Sequence, residues 1–217
     1  MLTRLARDTQ AAVLIEFAIC APILLILYLG AYAASDLVAC NRKVAIATRA
    51  LVDLTSRNMS PSAITGSPGA AWGTTYLSAS AIALLPYSSA NATEEIALLR
   101  VCDATHAYVI WTQAQTQSST GTATAATPTL TAGTLTAASV ITLPSGLIDA
   151  SMVPVSPDSS NVCSNFATGT ATRYQVGKAG GYLFAGAIRY SYVPPINYLI
   201  TTPANLGNTF YMSPRIL

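Results

Sequence analysis

Few side chains in this sequence are placed to do chemistry, and the most unusual is a carboxylate. Glu16 is the one charged residue between Ala11 and Ser35 in the run AAVLIEFAICAPILLILYLGAYAAS, 25 residues long. A helix of that length spans about 37 Å at roughly 1.5 Å per residue. That exceeds a hydrocarbon core of about 30 Å, so the run can cross a bilayer. An acid inside such a run needs a cationic partner or access to the membrane surface, and it marks a functional position. The bland alternative places Glu16 at the cytoplasmic edge, where it reaches water at little cost.

The other reactive candidates are sparse. His106 is the sole histidine. With Asp103 it falls in what reads as one strand, on opposite faces, and no G-x-S-x-G elbow accompanies it, so acyl-transfer chemistry is not expected. Lys178-Ala-Gly-Gly reads as a turn before a strand, without the spacing of a phosphate loop. Cys20, Cys40, Cys102 and Cys163 show no CxxC or Cys/His spacing, which argues against a metal site. If the distal part is exported, Cys102 and Cys163 pair and Cys40 stays free. A bridge closing that loop contributes about 4 kcal/mol in the chain-entropy model. The alternative is four reduced, buried thiols. No enzyme activity, cofactor or metal is expected.

These residues must be positioned by a chain of 217 residues, of which 9% are charged, 52% are hydrophobic and eleven are Tyr. An ordinary soluble protein carries roughly 25% charged residues. A net charge of +2 without a Lys/Arg cluster gives no basis for nucleic-acid binding. Arg4 and Arg7 precede the apolar run, which favours a cytoplasmic N-terminus, although Arg42 and Lys43 follow on the far side.

Beyond Ser35 the helical pattern continues. Leu37, Cys40, Val44, Ala47, Leu51 and Leu54 recur at spacings of three and four, with most charges elsewhere. No Pro or Gly interrupts residues 31–57, so one helix of about 45 residues is predicted, stopping near NMSPS at Asn58. Four segments result: an N-terminal stretch (1–11), a membrane helix (12–35), an amphipathic extension (36–57) and a β-rich domain (58–217). Within that domain, Ile96–Trp111 reads as one long or two broken strands. Residues 112–139 form a Thr/Ala/Ser insert, expected as an exposed loop or hairpin. Tyr182–Val193 alternates with period two, placing Tyr182, Phe184, Ile188, Tyr190 and Tyr192 on one face suited to covering a helix. A last strand is expected near Thr209–Met212. The fold class is α+β: a long N-terminal helix with its distal half packed on a small antiparallel sheet.

The residues around the acid carry a family likeness. Ala11, four apolar residues, Glu16 and Phe17 are followed by Pro22 and Gly30, six and fourteen residues after the acid. This pattern resembles the N-terminus of type IV pilin-like proteins, most closely the TadE-like pseudopilins of the tight-adherence pilus system. Met212-Ser213-Pro214-Arg215 is a fainter echo of family C-termini. Ala11 stands where Gly is commoner, and the family's second acid is missing unless Asp36 replaces it. The resemblance implies a minor pilin or pseudopilin with a structural role in pilus assembly, priming or the tip. It implies cleavage by a prepilin peptidase between Ala11 and Ala12, with Glu16 and Phe17 acting in assembly and Pro22 and Gly30 in helix kinking and packing. The implied partners are other pilins, the peptidase, an inner-membrane assembly platform and lipid. The implied location is the bacterial inner membrane, with the domain in the periplasm. The freed Ala12 amine, with an ordinary pKa near 8, would pair with Glu16 one turn away or in a neighbouring subunit.

Two rivals concern processing. Ala31-Tyr32-Ala33 is an A-x-A site after an apolar core, as in a secretory signal cut before Ala34. The other is an unprocessed single-pass anchor. Either would make the chain a membrane-anchored or secreted periplasmic binding or adhesion domain.

Overall fold

The computed structural model describes residues 9–57, 75, 78–79, 82–101, 104–117, 122–130, 140–149, 181–194 and 203–215, with side chains from residue 13 onward. It shows one long helix, α1 (Thr9–Arg57), and an antiparallel β-sheet, an α+β fold. Two compact units divide the chain, Met1–Cys40 with Tyr192–Ala204, and Asn41–Ser191 with Asn205–Leu217.

In the first unit the helix is continuous through Pro22, and no part of its most apolar 18-residue window is buried. This helix is long and apolar enough to cross a membrane. Asp36 accepts a hydrogen bond from the Tyr192 hydroxyl at 2.5 Å. Cys40 is buried, and burial, reinforced by the Asp36 carboxylate, pushes its thiol up to about 11. At pH 8 the thiolate is then roughly 100-fold scarcer than for an ordinary cysteine. Maleimide should therefore label Cys40 of the intact protein at least that much more slowly than an unfolded control, and faster as pH rises toward 11. Labelling at the control rate, read by peptide mapping, would contradict this environment.

In the second unit, strands β1 (Ala92–Val101), β2 (His106–Gln117), β3 (Ala123–Ala125), β4 (Val140–Thr142), β5 (Tyr182–Tyr192) and β6 (Ala204–Met212) form one sheet. The order is β3-β2-β1-β5-β6, with β4 also on β2. The apolar run at 96–111 is two strands, paired antiparallel from Thr93↔Thr116 to Val101↔Ala107 with a register shift between Leu98 and Leu99. The insert at 112–139 is a loop only in part. Thr112–Gln117 extends β2, and β3 folds back on it as Gln115↔Ala125 to Gln117↔Ala123. Threonine suits a pleated surface, so this Thr/Ala sequence pairs once a neighbouring strand is present.

Of the predicted stripe on the helix, Cys40, Val44, Ala47 and Leu51 are buried, while Leu37 and Leu54 are half-buried. Val44, Ala47 and Leu51 have no exposure, whereas Arg42, Arg49 and Arg57 face solvent. On β5 the even residues from Tyr182 to Tyr192 are all buried. Gly186 lies among them, facing Val52 and Leu51 of α1. A Cβ added there would stand inside the Cγ2 methyl of Val52. On this face the Trp111 and Phe184 rings meet edge-on at 6.2 Å.

The opposite face of the sheet is covered as well. Ala185 is buried with Leu183, Ala97, Leu99, Val101, Ala107 and Val109 in a second core. Leu130, Ile141, Leu143, Leu147 and Ile148 cover it. The sheet is therefore packed with apolar side chains on both faces around Ala97–Val101, Ala107–Val109 and Leu183–Ala185. At the other end of β5, Arg189 and Ser191 remain partly exposed on that same outer face.

Candidate functional site

The positions predicted to matter for assembly all fall on α1. Ala11 and Ala12 lie in its first turn. Glu16 and Phe17 are exposed, flanked by the exposed side chains of Val13, Leu14, Ile15 and Ile19. An i to i+4 separation places Glu16 one turn beyond Ala12, on the same side of the helix. A Cβ at Gly30 would meet nothing within 4 Å among the described residues. The structure thus presents a carboxylate on a bare apolar cylinder, a geometry that gains from a cationic partner only outside the helix surface around it.

Other predicted positions are less informative. Cys102 and Cys163 lie outside the described residues, as do Asp103 and Lys178. His106 opens β2, where Nδ1 lies 3.0 Å from the Thr105 hydroxyl. Among the described residues, no three His, Cys, Asp or Glu side chains cluster as metal ligands.

The C-terminal motif has a definite place. The Arg215 backbone N–H donates to the Ser56 carbonyl at 2.9 Å, satisfying one of the last carbonyls of α1. The Arg215 guanidinium lies 3.5 Å from Asp53, which also pairs with Arg57 at 2.8 Å. The Ser56 hydroxyl contacts the Met212 sulfur at 3.3 Å, and the Arg49 guanidinium sits 5.5 Å from the Phe210 ring centroid. β6 and the residues after it therefore fasten onto the end of the helix.

Three buried charged residues were not anticipated. Arg100 lies over the Tyr182 ring at 4.5 Å and donates to its hydroxyl. Burial pushes the Tyr182 phenol above its ordinary value, and the Arg100 guanidinium draws it partly back. Glu94 accepts from Gln115 Nε2 at 3.2 Å on the helix-facing side. On the outer side, Glu95 accepts from the Leu130 N–H at 2.8 Å and from the Thr129 hydroxyl. It also pairs with Arg189 Nη2 at 3.3 Å. The available signal was Glu94-Glu95 inside an apolar strand of a chain with few charges. Beside Arg189, a shallow groove of about 510 Å³ runs along the start of β6, lined by Asn91, Thr93, Ser191, Asn205 and Gly207.

A scan against protein-family models finds no match, and searches of curated proteins and solved structures find none either.

Proposed function

We propose that this chain is a pilin-like structural subunit of the TadE type, anchored by α1 in the bacterial inner membrane with its sheet domain in the periplasm. One observation carries the reading. A single helix presents Glu16 on a bare apolar surface through its first half and packs its second half on a β-sheet. In this role a prepilin peptidase frees the Ala12 amine, and Glu16 pairs with that cation in the same or an adjacent subunit. An unpaired carboxylate costs about 3 kcal/mol at the bilayer centre and less toward the surface, where Glu16 lies about one and a half turns from the start of the apolar run, so pairing removes a penalty and fixes subunit register during assembly. Other pilins of the same system and a membrane assembly platform are the partners. The role is structural, as a minor component that primes the filament or sits at its tip.

The N-terminal residue of the mature protein tests this directly. Ala12 is expected. Ala34 would make the chain a secreted domain, and Met1 would leave a plain anchor. Glu16→Ala should lower incorporation into pili at least tenfold while Trp fluorescence of the domain stays unchanged. Normal incorporation of Glu16→Ala would end the pairing mechanism.

A further inference from the structure

The outer face of the sheet changes character along its strands. Around Ala97, Leu99 and Val101 it is apolar and covered by Leu130, Ile141 and Leu147. The cover starts at Glu95, which accepts from the Leu130 N–H and the Thr129 hydroxyl. Two residues earlier on β1, on the same face, the side chains are polar and reach the surface. The register sets Thr124 of β3 opposite Thr116 of β2, Thr116 opposite Thr93 of β1, and Thr93 opposite Arg189 of β5. Thr124 is exposed, and Thr116, Thr93 and Arg189 are half-buried. Three hydroxyls and one guanidinium thus form a row across four strands. Adjacent strands lie about 4.8 Å apart, so the row is about 14 Å long. At its Arg189 end it opens into the groove of about 510 Å³ that Asn91, Ser191 and Asn205 also line. Gly207 borders that groove with no side chain to fill it.

The chemistry of this strip selects its ligand. Hydroxyls and side-chain amides each donate and accept hydrogen bonds, as the hydroxyls of a sugar do. Among these residues the one full charge, Arg189, is balanced by Glu95 at 3.3 Å, so an anion gains little net attraction. Glu95 engages Nη2 alone of a group that carries five N–H donors, and a neutral oxygen can share the rest. A lipid or an amphipathic helix would need an apolar groove, and the row offers only threonine methyls. Those methyls suit the C–H faces of sugar rings. The spacing between strands is close to the residue repeat of an extended hexose polymer, so each strand meets one sugar.

We propose that the row Thr124, Thr116, Thr93 and Arg189, with the groove beside it, binds an uncharged, extended polysaccharide laid across the strands. All of these residues belong to the second unit, so the binding does not require that the chain be a pilin. Co-sedimentation of the full-length protein in detergent with cellulose or chitin particles tests it. Binding to at least one should persist at about 0.5 M salt, where exposed charges are screened. A soluble hexamer of the same sugar should compete at least tenfold better than the monomer, which meets only one strand. Thr93→Val and Thr116→Val each remove a hydroxyl and keep a β-branched strand residue. Together they should lower affinity at least tenfold with the unfolding temperature unchanged. If that pair weakens the sheet, Ser191→Ala with Asn205→Ala probes the groove end instead, with the same loss expected. No binding to either particle, loss of binding in salt, equal competition by the monomer, or unchanged affinity in a folded double variant would each overturn the inference. Hexamer-competed binding by a chain whose mature N-terminus is Met1 or Ala34 would overturn the pilin reading alone.

Discussion

Gly186→Val should disrupt the packing of the sheet on helix residues 41–57. The position has no positive φ, so valine can adopt the backbone, and a β-branched residue even suits a strand. The whole penalty is steric. The first added carbon already overlaps Val52 Cγ2, and the next nearest atom, Leu51 Cδ2, is 3.7 Å from it. Val52 and Leu51 have no exposure, so neither side chain has solvent to move into. Overpacking of a closed core costs about 1–3 kcal/mol for alanine, and more for valine, whose extra methyls have no space. Against a total stability of about 5–15 kcal/mol, that is a large fraction. Urea unfolding of the detergent-solubilised protein, followed by Trp fluorescence, measures it. A double-mutant cycle identifies the cause. Val52→Ala alone should destabilise by about 1.5 kcal/mol through lost burial. Combined with Gly186→Ala it should recover at least 1 kcal/mol relative to the sum, because the two changes relieve one overlap. Strict additivity would show that the close approach at Gly186 is not what limits substitution.

The same contact shows what the sequence could and could not disclose. The helix was legible because its signals are local: a three-four apolar stripe, no Pro or Gly from 31 to 57, and turn residues directly after Arg57. β5 was legible for a similar reason, since period two is written into its own residues. The helix-facing role of its even positions followed from that pattern. Gly186 did not stand out, because its significance belongs to Val52, more than a hundred residues earlier. The second core was hidden by another non-local fact. Whether Ala185 and Leu183 face water depends on Leu130 and the segment 141–148 folding over them. The split of 96–111 into two strands had a weak local sign in the polar residues near 103–105, and the extension of β2 into Thr112–Gln117 had none. Of the proposed assembly site, α1 places Glu16 and Phe17 on an exposed surface, but a partner in another subunit would lie outside a single chain. The pair Glu94-Glu95 was present in the sequence and went unused. Successive strand residues point to opposite faces, so two adjacent acids can both be buried only if the sheet is covered on both sides. Each then needs its own donors.

Glu95 depends most on such donors, and its removal gives the second large effect. The side chain is 2% exposed, while Arg189 opposite is 41% exposed. Arg189 can hydrate if its partner is lost, so the exposed half of this ion pair contributes little by itself. The main contribution comes from the Leu130 N–H and the Thr129 hydroxyl, which Glu95 accepts from inside the protein. Hydrogen bonds to a charged group are worth about 1.5–3 kcal/mol each, and a buried donor left without an acceptor costs about 1–3 kcal/mol. Glu95→Ala should therefore destabilise by about 3 kcal/mol, whereas Arg189→Ala should cost less than about 1 kcal/mol. Glu95→Gln keeps the shape and one carbonyl acceptor but turns an amide N–H toward existing donors, placing it between the two. A local measurement separates this account from a general loss of stability. Leu130 anchors the segment that covers the outer core, and its amide points at Glu95 Oε1. Its exchange protection should fall at least tenfold in Glu95→Gln, while amides in the β1–β5 ladder such as Leu98 retain theirs. Equal losses at both places would mean that Glu95 supports the sheet as a whole. Loss at Leu130 alone assigns Glu95 to holding the Thr/Ala segment over the apolar face.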